Sequence, residues 1–214
     1  MNMKVYLAVA ASCVLIANIT GAATVKLSVA ADATVDQVLP GTNLGSDTNV
    51  KAQDSTDGGE RPVSKGYLMF DASGLPPVKD IESFTVFYST KRGRSASYFL
   101  ITGKGANDWT EEAITWNNAP ANVPATDLDG FTAGEGQNVI HLGSNTGNPG
   151  ELGEIVFGSE KSSAQDAKQA LIKALNSGDR KATVAFSHNG TRFYNIAARE
   201  SGKPPATLTL VVAD

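Results

Sequence analysis

The chain has a single cysteine, Cys13, and it lies inside an apolar run at the N-terminus. A disulfide needs two cysteines and a zinc thiolate site needs several, so neither can support the fold beyond that run. Histidine is almost as scarce: only His141 and His188 could serve as imidazole bases. Charge is sparse as well, at 19% of 214 residues with a formal net charge of −4. Phosphate recognition needs a positive field, which excludes nucleic acid as the main partner. No glycine-rich phosphate loop, metalloprotease helix motif or Ser-His-Asp order occurs, so catalysis finds little support. After residue 23 no apolar stretch approaches the roughly 20 residues a membrane helix needs, and membrane insertion is not expected.

Turn-forming residues are plentiful. With 21 Gly and 9 Pro among many Thr, Ser and Asn, the composition favours strands and turns over a helical bundle. Lys4, the apolar run Val5 to Ile19 and the small residues Gly21-Ala22-Ala23 have the organisation of a secretory signal peptide. Residues 1–23 are therefore read as an export signal, and 24–214 as one secreted or cell-surface domain.

Short alternating segments recur along that domain. Thr24 to Val29, Ala33 to Val38, Asn49 to Gln53, Lys65 to Asp71, Ser83 to Tyr88, Ser97 to Thr102, Val139 to Leu142, Lys181 to Ser187 and Ala206 to Val212 read as strands. In Lys65 to Asp71 the alternation puts Gly66, Leu68 and Phe70 on a core face and Lys65, Tyr67 and Met69 on an exposed one. One helix interrupts the pattern: Ala164, Ala167, Ala170, Leu171, Ala174 and Leu175 follow the 3.6-residue period between Ser162-Ser163 and Gly178. The fold class expected is an all-β, jelly-roll-like antiparallel β-sandwich with one short helix packed across one end.

An unusual string runs from Asn107 to Pro120: Asn-Asp-Trp-Thr-Glu-Glu-Ala-Ile-Thr-Trp-Asn-Asn-Ala-Pro. It resembles the Trp-Thr-Glu-x-x-Val-Thr-Trp-Asn-Asn-x-Pro signature of DNRLRE-type domains, also classed as family 96 carbohydrate-binding modules. Ala31-Asp32-Ala33-Thr34-Val35, Asn43-Leu44-Gly45, Tyr67-Leu68-Met69-Phe70-Asp71 with Leu75-Pro76, and Arg199-Glu200-Ser201-Gly202 with Pro204-Pro205 resemble further pieces of that family, in the same order. The sequence departs at Leu44, where an aromatic is usual, and at Ala198, where a serine is usual. The resemblance runs from about Ala30 to Val212. It implies a jelly-roll sandwich that binds polysaccharide, acidic ones such as alginate above all, and that is usually attached to an enzyme or a surface protein.

An acidic polysaccharide calls for cations and sugar-supporting rings along a groove. Lys51 and Lys65 lie on the outward faces of strands that one loop would make neighbours, with Tyr67 two residues along from Lys65. Lys91, Arg92 and Arg94 form a second basic cluster, and Arg192 with Tyr194 a third. Trp109 and Trp116 read as core residues rather than sugar platforms, with Ile114 and Trp116 sharing one strand face. Arg199 and Glu200 read as an ion pair that pins the last loop. Asp127-Leu128-Asp129-Gly130 has the look of a short calcium turn, so a structural Ca2+ at Asp127 and Asp129 is the one cofactor expectation. Two alternatives to a non-catalytic binder stay open. One is a structural or adhesive protein that self-assembles or attaches to a cell-surface matrix. The other is a small polysaccharide lyase built on His188, Asn189, Arg192 and Tyr194.

Overall fold

Alternation along the strands decides which side chains meet, and here it builds two sheets with a third layer over one of them. The computed structural model describes residues 22–53, 63–89, 94–122, 130–158, 161–188 and 193–214, with the side chains of 94 and 161–163 excepted. The strands are β1 (Ala23–Ser28), β2 (Ala31–Asp36), β3 (Asn49–Ala52), β4 (Ser64–Asp71), β5 (Val78–Phe87), β6 (Arg94–Gly103), β7 (Gln137–Gly147), β8 (Leu152–Glu154), β9 (Val156–Phe157), β10 (Lys181–Ser187), β11 (Tyr194–Ala197) and β12 (Thr207–Val212). The helix α1 (Lys161–Asn176) precedes β10. A four-stranded sheet has the order β1-β12-β5-β8, a six-stranded sheet the order β2-β4-β10-β6-β7-β9, and β11 pairs with β3. Every pairing is antiparallel. The expected all-β sandwich is present.

The main core lies between the two large sheets. Leu68 and Phe70 of β4 and Val184 and Phe186 of β10 meet Phe84 and Val86 of β5 and Leu208 and Leu210 of β12, all fully buried. Aromatic edges pack on faces here: Phe70 meets Phe84 at 5.5 Å and 89°, and Phe84 meets Tyr98 at 5.6 Å and 76°. Gly66 sits opposite Phe186 in the β4–β10 ladder, and the Phe186 ring occupies the space a side chain at 66 would take. The helix inserts Ala167, Leu171, Ile172 and Leu175 into the same core. Its C-terminal end is clamped to β5, because the Asn176 amide accepts from Val78 N–H at 2.8 Å and donates to Val78 C=O at 2.7 Å. Lys168 adds an ion pair to Asp80 at 2.8 Å. Among the described residues no helix is long and apolar enough to cross a membrane.

The other face of the six-stranded sheet is not open, and this corrects the sequence reading of β4. Lys65 and Tyr67 are 0% exposed and Met69 only 5%. The double-tryptophan string folds back over them as an irregular cover, with Trp109, Ile114 and Trp116 buried against β2, β4, β6 and β10. Its backbone is a chain of turns rather than a strand through Ile114 and Trp116: Ile114 N–H bonds to Thr110 C=O at 3.0 Å and Ala119 N–H to Thr115 C=O at 3.0 Å. Side-chain bonds fasten the cover to the sheet. Trp109 Nε1 donates to Thr183 Oγ1 at 2.9 Å, Thr183 Oγ1 to Ala106 C=O at 2.7 Å and the Tyr67 hydroxyl to Pro120 C=O at 3.0 Å.

Candidate functional site

The residues proposed from the sequence as one basic face do not share a face. Lys51 is half-exposed and its ammonium pairs with Asp47 at 2.9 Å. Lys65 points the other way, into the cover. Its Nζ donates to Asn122 Oδ1 at 2.8 Å and to Gly130 C=O, and lies 5.0 Å from the Trp116 and Phe131 ring centroids. Tyr67 lies beside it with its ring edge on Trp109 and Phe131. Both are interior groups with no path to a polymer. Tyr194 is interior as well: its hydroxyl bonds to Tyr98 Oη and to Asn145 Oδ1, each at 2.9 Å, and burial pushes its phenol well above the ordinary range. His188 is buried too, with Nδ1 at the Ser95 carbonyl.

Those two burials take Tyr194 and His188 away from any solvent-facing acid–base role. Lys91, Arg92, Arg192, Asn189, Asp127 and Asp129 lie outside the described residues, as does the side chain of Arg94. The strand ends flanking residues 90–93 and 189–192 lie side by side, with Ser89 N–H bonded to Asn195 C=O at 3.0 Å. Among the described residues no group of three or more His, Cys, Asp or Glu is arranged to hold a metal.

The segments that carry the family resemblance converge on one nest. The Asn43 amide donates to the carbonyls of Glu111 and Ile114 at 2.6 and 2.8 Å. Gly45 packs its backbone on that of Glu111, where a Cβ has no room. Glu111 Oε2 accepts from Asp32 N–H at 3.0 Å and from Arg199 Nη1 at 2.7 Å, while Arg199 N–H donates to Asp32 Oδ2 at 3.0 Å. The ion pair expected between Arg199 and Glu200 is therefore formed with Glu111 instead. Arg199 and Glu200 are successive residues of a 3-10 turn, so their side chains point apart, and Glu111 of the cover lies beside Arg199 instead. Asp32 is 1% exposed, and its Oδ1 has no hydrogen-bond partner among the described residues. Burial, with further repulsion from Glu200 and Glu111, raises its pKa to about 7 against the bond from Arg199.

Open concave surface lies at the far end of β6. A groove of about 590 Å³ runs between the end of α1, the β6–β7 edge and the start of β10. Its walls carry Lys173 and Lys181, the amides of Asn107 and Asn138, and the hydroxyls of Thr102 and Ser177, over an apolar floor that includes Ile140, Ala170 and Ala174. Lys173 is exposed and Lys181 half-buried, and among the described residues neither makes an ion pair. Among the described residues Asp179 is the only acidic group lining the groove. Its Oδ1 accepts from the Asn107 amide and from Lys181 N–H, both at 3.1 Å. On the other side of the turn 103–108 is a second hollow of about 240 Å³, lined by Asp108, Trp109, Thr110, Ile114, Asn118 and Pro120 among others.

Sequence reasoning missed the groove because its polar groups come from a loop, three strands and a helix end. The one legible signal was Lys173 on the side of α1 opposite the buried Leu171 and Leu175. The Asn107 amide and the Ser177 hydroxyl are already bonded within the protein, to Asp179 and Lys181 and to Lys173 C=O respectively. What remains suits a hydroxyl-rich ligand with negative charge: the Asn138 amide and the Thr102 hydroxyl for sugar oxygens, ammonium groups for carboxylates, and a floor for ring carbons.

No curated protein matches the sequence. The family model for carbohydrate-binding module family 96 matches residues 23–137, which begins with the first residue of β1 and takes in the whole cover through to the start of β7. That is more than half of the 214 residues. The chain belongs to carbohydrate-binding module family 96.

Proposed function

We propose that this module binds an anionic polysaccharide that carries uronic-acid units, with alginate as the test polymer, outside the cell and without chemistry. Family membership supplies the carbohydrate; the observation that carries the sign of the charge is the two ammonium groups on the groove walls, Lys173 and Lys181, neither of which forms an ion pair among the described residues. Each exposed ion pair is worth only about 0.2–1 kcal/mol, so affinity for a polymer has to come from repetition along the chain and from bonds to Asn138 and Thr102. The N-terminal signal-like segment supports delivery to the exterior, and a mass of the exported protein that begins at or near Thr24 is the check on that part.

The binding test uses Lys173→Gln together with Lys181→Gln. Retention on an alginate gel should fall at least tenfold while the melting temperature stays within a few degrees, because both side chains leave the core untouched. Wild-type retention should also fall between low salt and about 0.5 M, where the Debye length shrinks to a few ångströms. Equal retention on a neutral glucan, or an unaffected double variant, would overturn the reading.

A further inference from the structure

The groove and the smaller hollow share one wall. Asn107 faces the groove and the next residue, Asp108, faces the hollow; Gly103 and Gly105 divide in the same way. A chain long enough to cross the turn would meet both. The two sides differ in the sign of their charge: two ammonium groups outnumber the Asp179 carboxylate on one, and the Asp108 carboxylate stands on the other.

We infer that the two hollows form one bipartite site, in which the pocket at Asp108, Thr110 and Trp109 takes an uncharged sugar unit of the polymer whose carboxylated unit lies against Lys173 and Lys181. This rests on the polysaccharide reading of the groove. At about 240 Å³ the pocket is smaller than the ~300–1,000 Å³ of sites for drug-sized ligands, so it holds one ring rather than a length of chain. Its floor is apolar, formed by Ile114, Pro120 and the narrow exposed edge of Trp109, which is 8% exposed. At its rim Asp108 and Thr110 are exposed, and among the described residues neither side chain has a hydrogen-bond or ion-pair partner. The Asn118 amide is held in place by Thr115 N–H at 2.7 Å and Ala113 C=O at 3.0 Å, with one N–H left over.

A carboxylate only accepts hydrogen bonds, so at this rim it selects hydroxyl and amide donors. It also repels a second carboxylate, which makes it a filter against a uronate in the pocket. Opposite charges on the two sides of one turn therefore specify a charge pattern along the polymer. The favoured chain alternates carboxylated and uncharged units, and a polymer charged at every unit binds less well.

Titration calorimetry of the full-length protein at low salt tests this with two probes of equal length, hyaluronan oligosaccharides (alternating) and oligoalginate (charged throughout), against wild type and Asp108→Asn. Wild type should bind the alternating probe at least fivefold more tightly. The Asp108→Asn variant, at an exposed position, should fold normally, bind oligoalginate at least threefold more tightly than wild type does, and gain nothing on the alternating probe. A wild type that prefers oligoalginate or binds both equally overturns the inference, as does a variant that changes both affinities equally or neither. In those cases the groove reading stands if Lys173 and Lys181 still matter. If neither anionic probe binds better than a neutral glucan, both readings fall together.

Discussion

A carboxyl group removed from water keeps its proton to higher pH, and Asp32 is in that position. Its pKa of about 7 stands well above the ordinary 3.8, and burial is the largest cause. The sign of its effect on stability follows. Between about pH 4 and pH 7 the folded chain holds a proton that the unfolded chain has released, so this group's contribution is fully present below pH 4 and is lost as pH rises towards 7. At about 1.4 kcal/mol per pH unit the loss across that window is on the order of 2–4 kcal/mol. Asp71 and Asp80 act in the opposite sense and in a different window. Hydrogen bonds from Ser73 and Lys168 respectively lower their pKa values, so they stabilise above pH 4 and lose that effect below it. Replacing Asp32 with Asn keeps an acceptor for Arg199 N–H and removes the charge. The urea midpoint of Asp32→Asn should be equal to or above wild type at pH 8, and its decline between pH 5 and pH 7 should flatten. An unchanged slope would show that Asp32 ionises in the folded chain at no cost.

β4 shows how far a strand can be read from its own residues. The alternation correctly placed Leu68 and Phe70 in the sandwich core, but the set Lys65, Tyr67 and Met69 looked exposed because a lysine marks a surface in most strands. What buries that set is a segment some forty residues further along that folds as turns and not as the strand its Ile114–Trp116 alternation suggested, so nothing local to β4 announces it. The two- and three-residue strands β9 and β8 escaped notice for a related reason: alternation needs more residues than they have. Gly66 was legible only as part of the pattern, and the structure supplies its cause in the Phe186 ring that covers it. Gly66→Ala should cost about 1–3 kcal/mol in denaturant unfolding, since a methyl there forces that ring to move. With Phe186→Ala as well, the combined loss should be smaller than the sum of the two single losses by more than about 0.5 kcal/mol. Additive losses would mean that the ring and the glycine do not constrain one another.

Across the whole molecule, the pieces of the family signature gave the sandwich and the identity of the module, and of them the double-tryptophan string also lines the smaller hollow and lends Asn107 to the groove. Asp32, Asn43, Gly45, Glu111 and Arg199 come together in a nest that ties the cover and the last loop to the start of β2. The groove is built from groups outside that nest, and the charges on its walls are ordinary surface lysines until the fold brings a helix end and a strand start together. Lys65 has a further bearing on the molecule through temperature. Stripping an ammonium group of water becomes less costly on warming, because ion hydration carries a negative entropy, and apolar contact weakens on cooling. The cover over β4 depends on both at once, since it encloses the Lys65 ammonium among Trp116, Phe131 and their apolar neighbours. Cold therefore strains the layer that carries the signature tryptophans from two directions, whereas the main core, which among the described residues encloses no ammonium, feels only one.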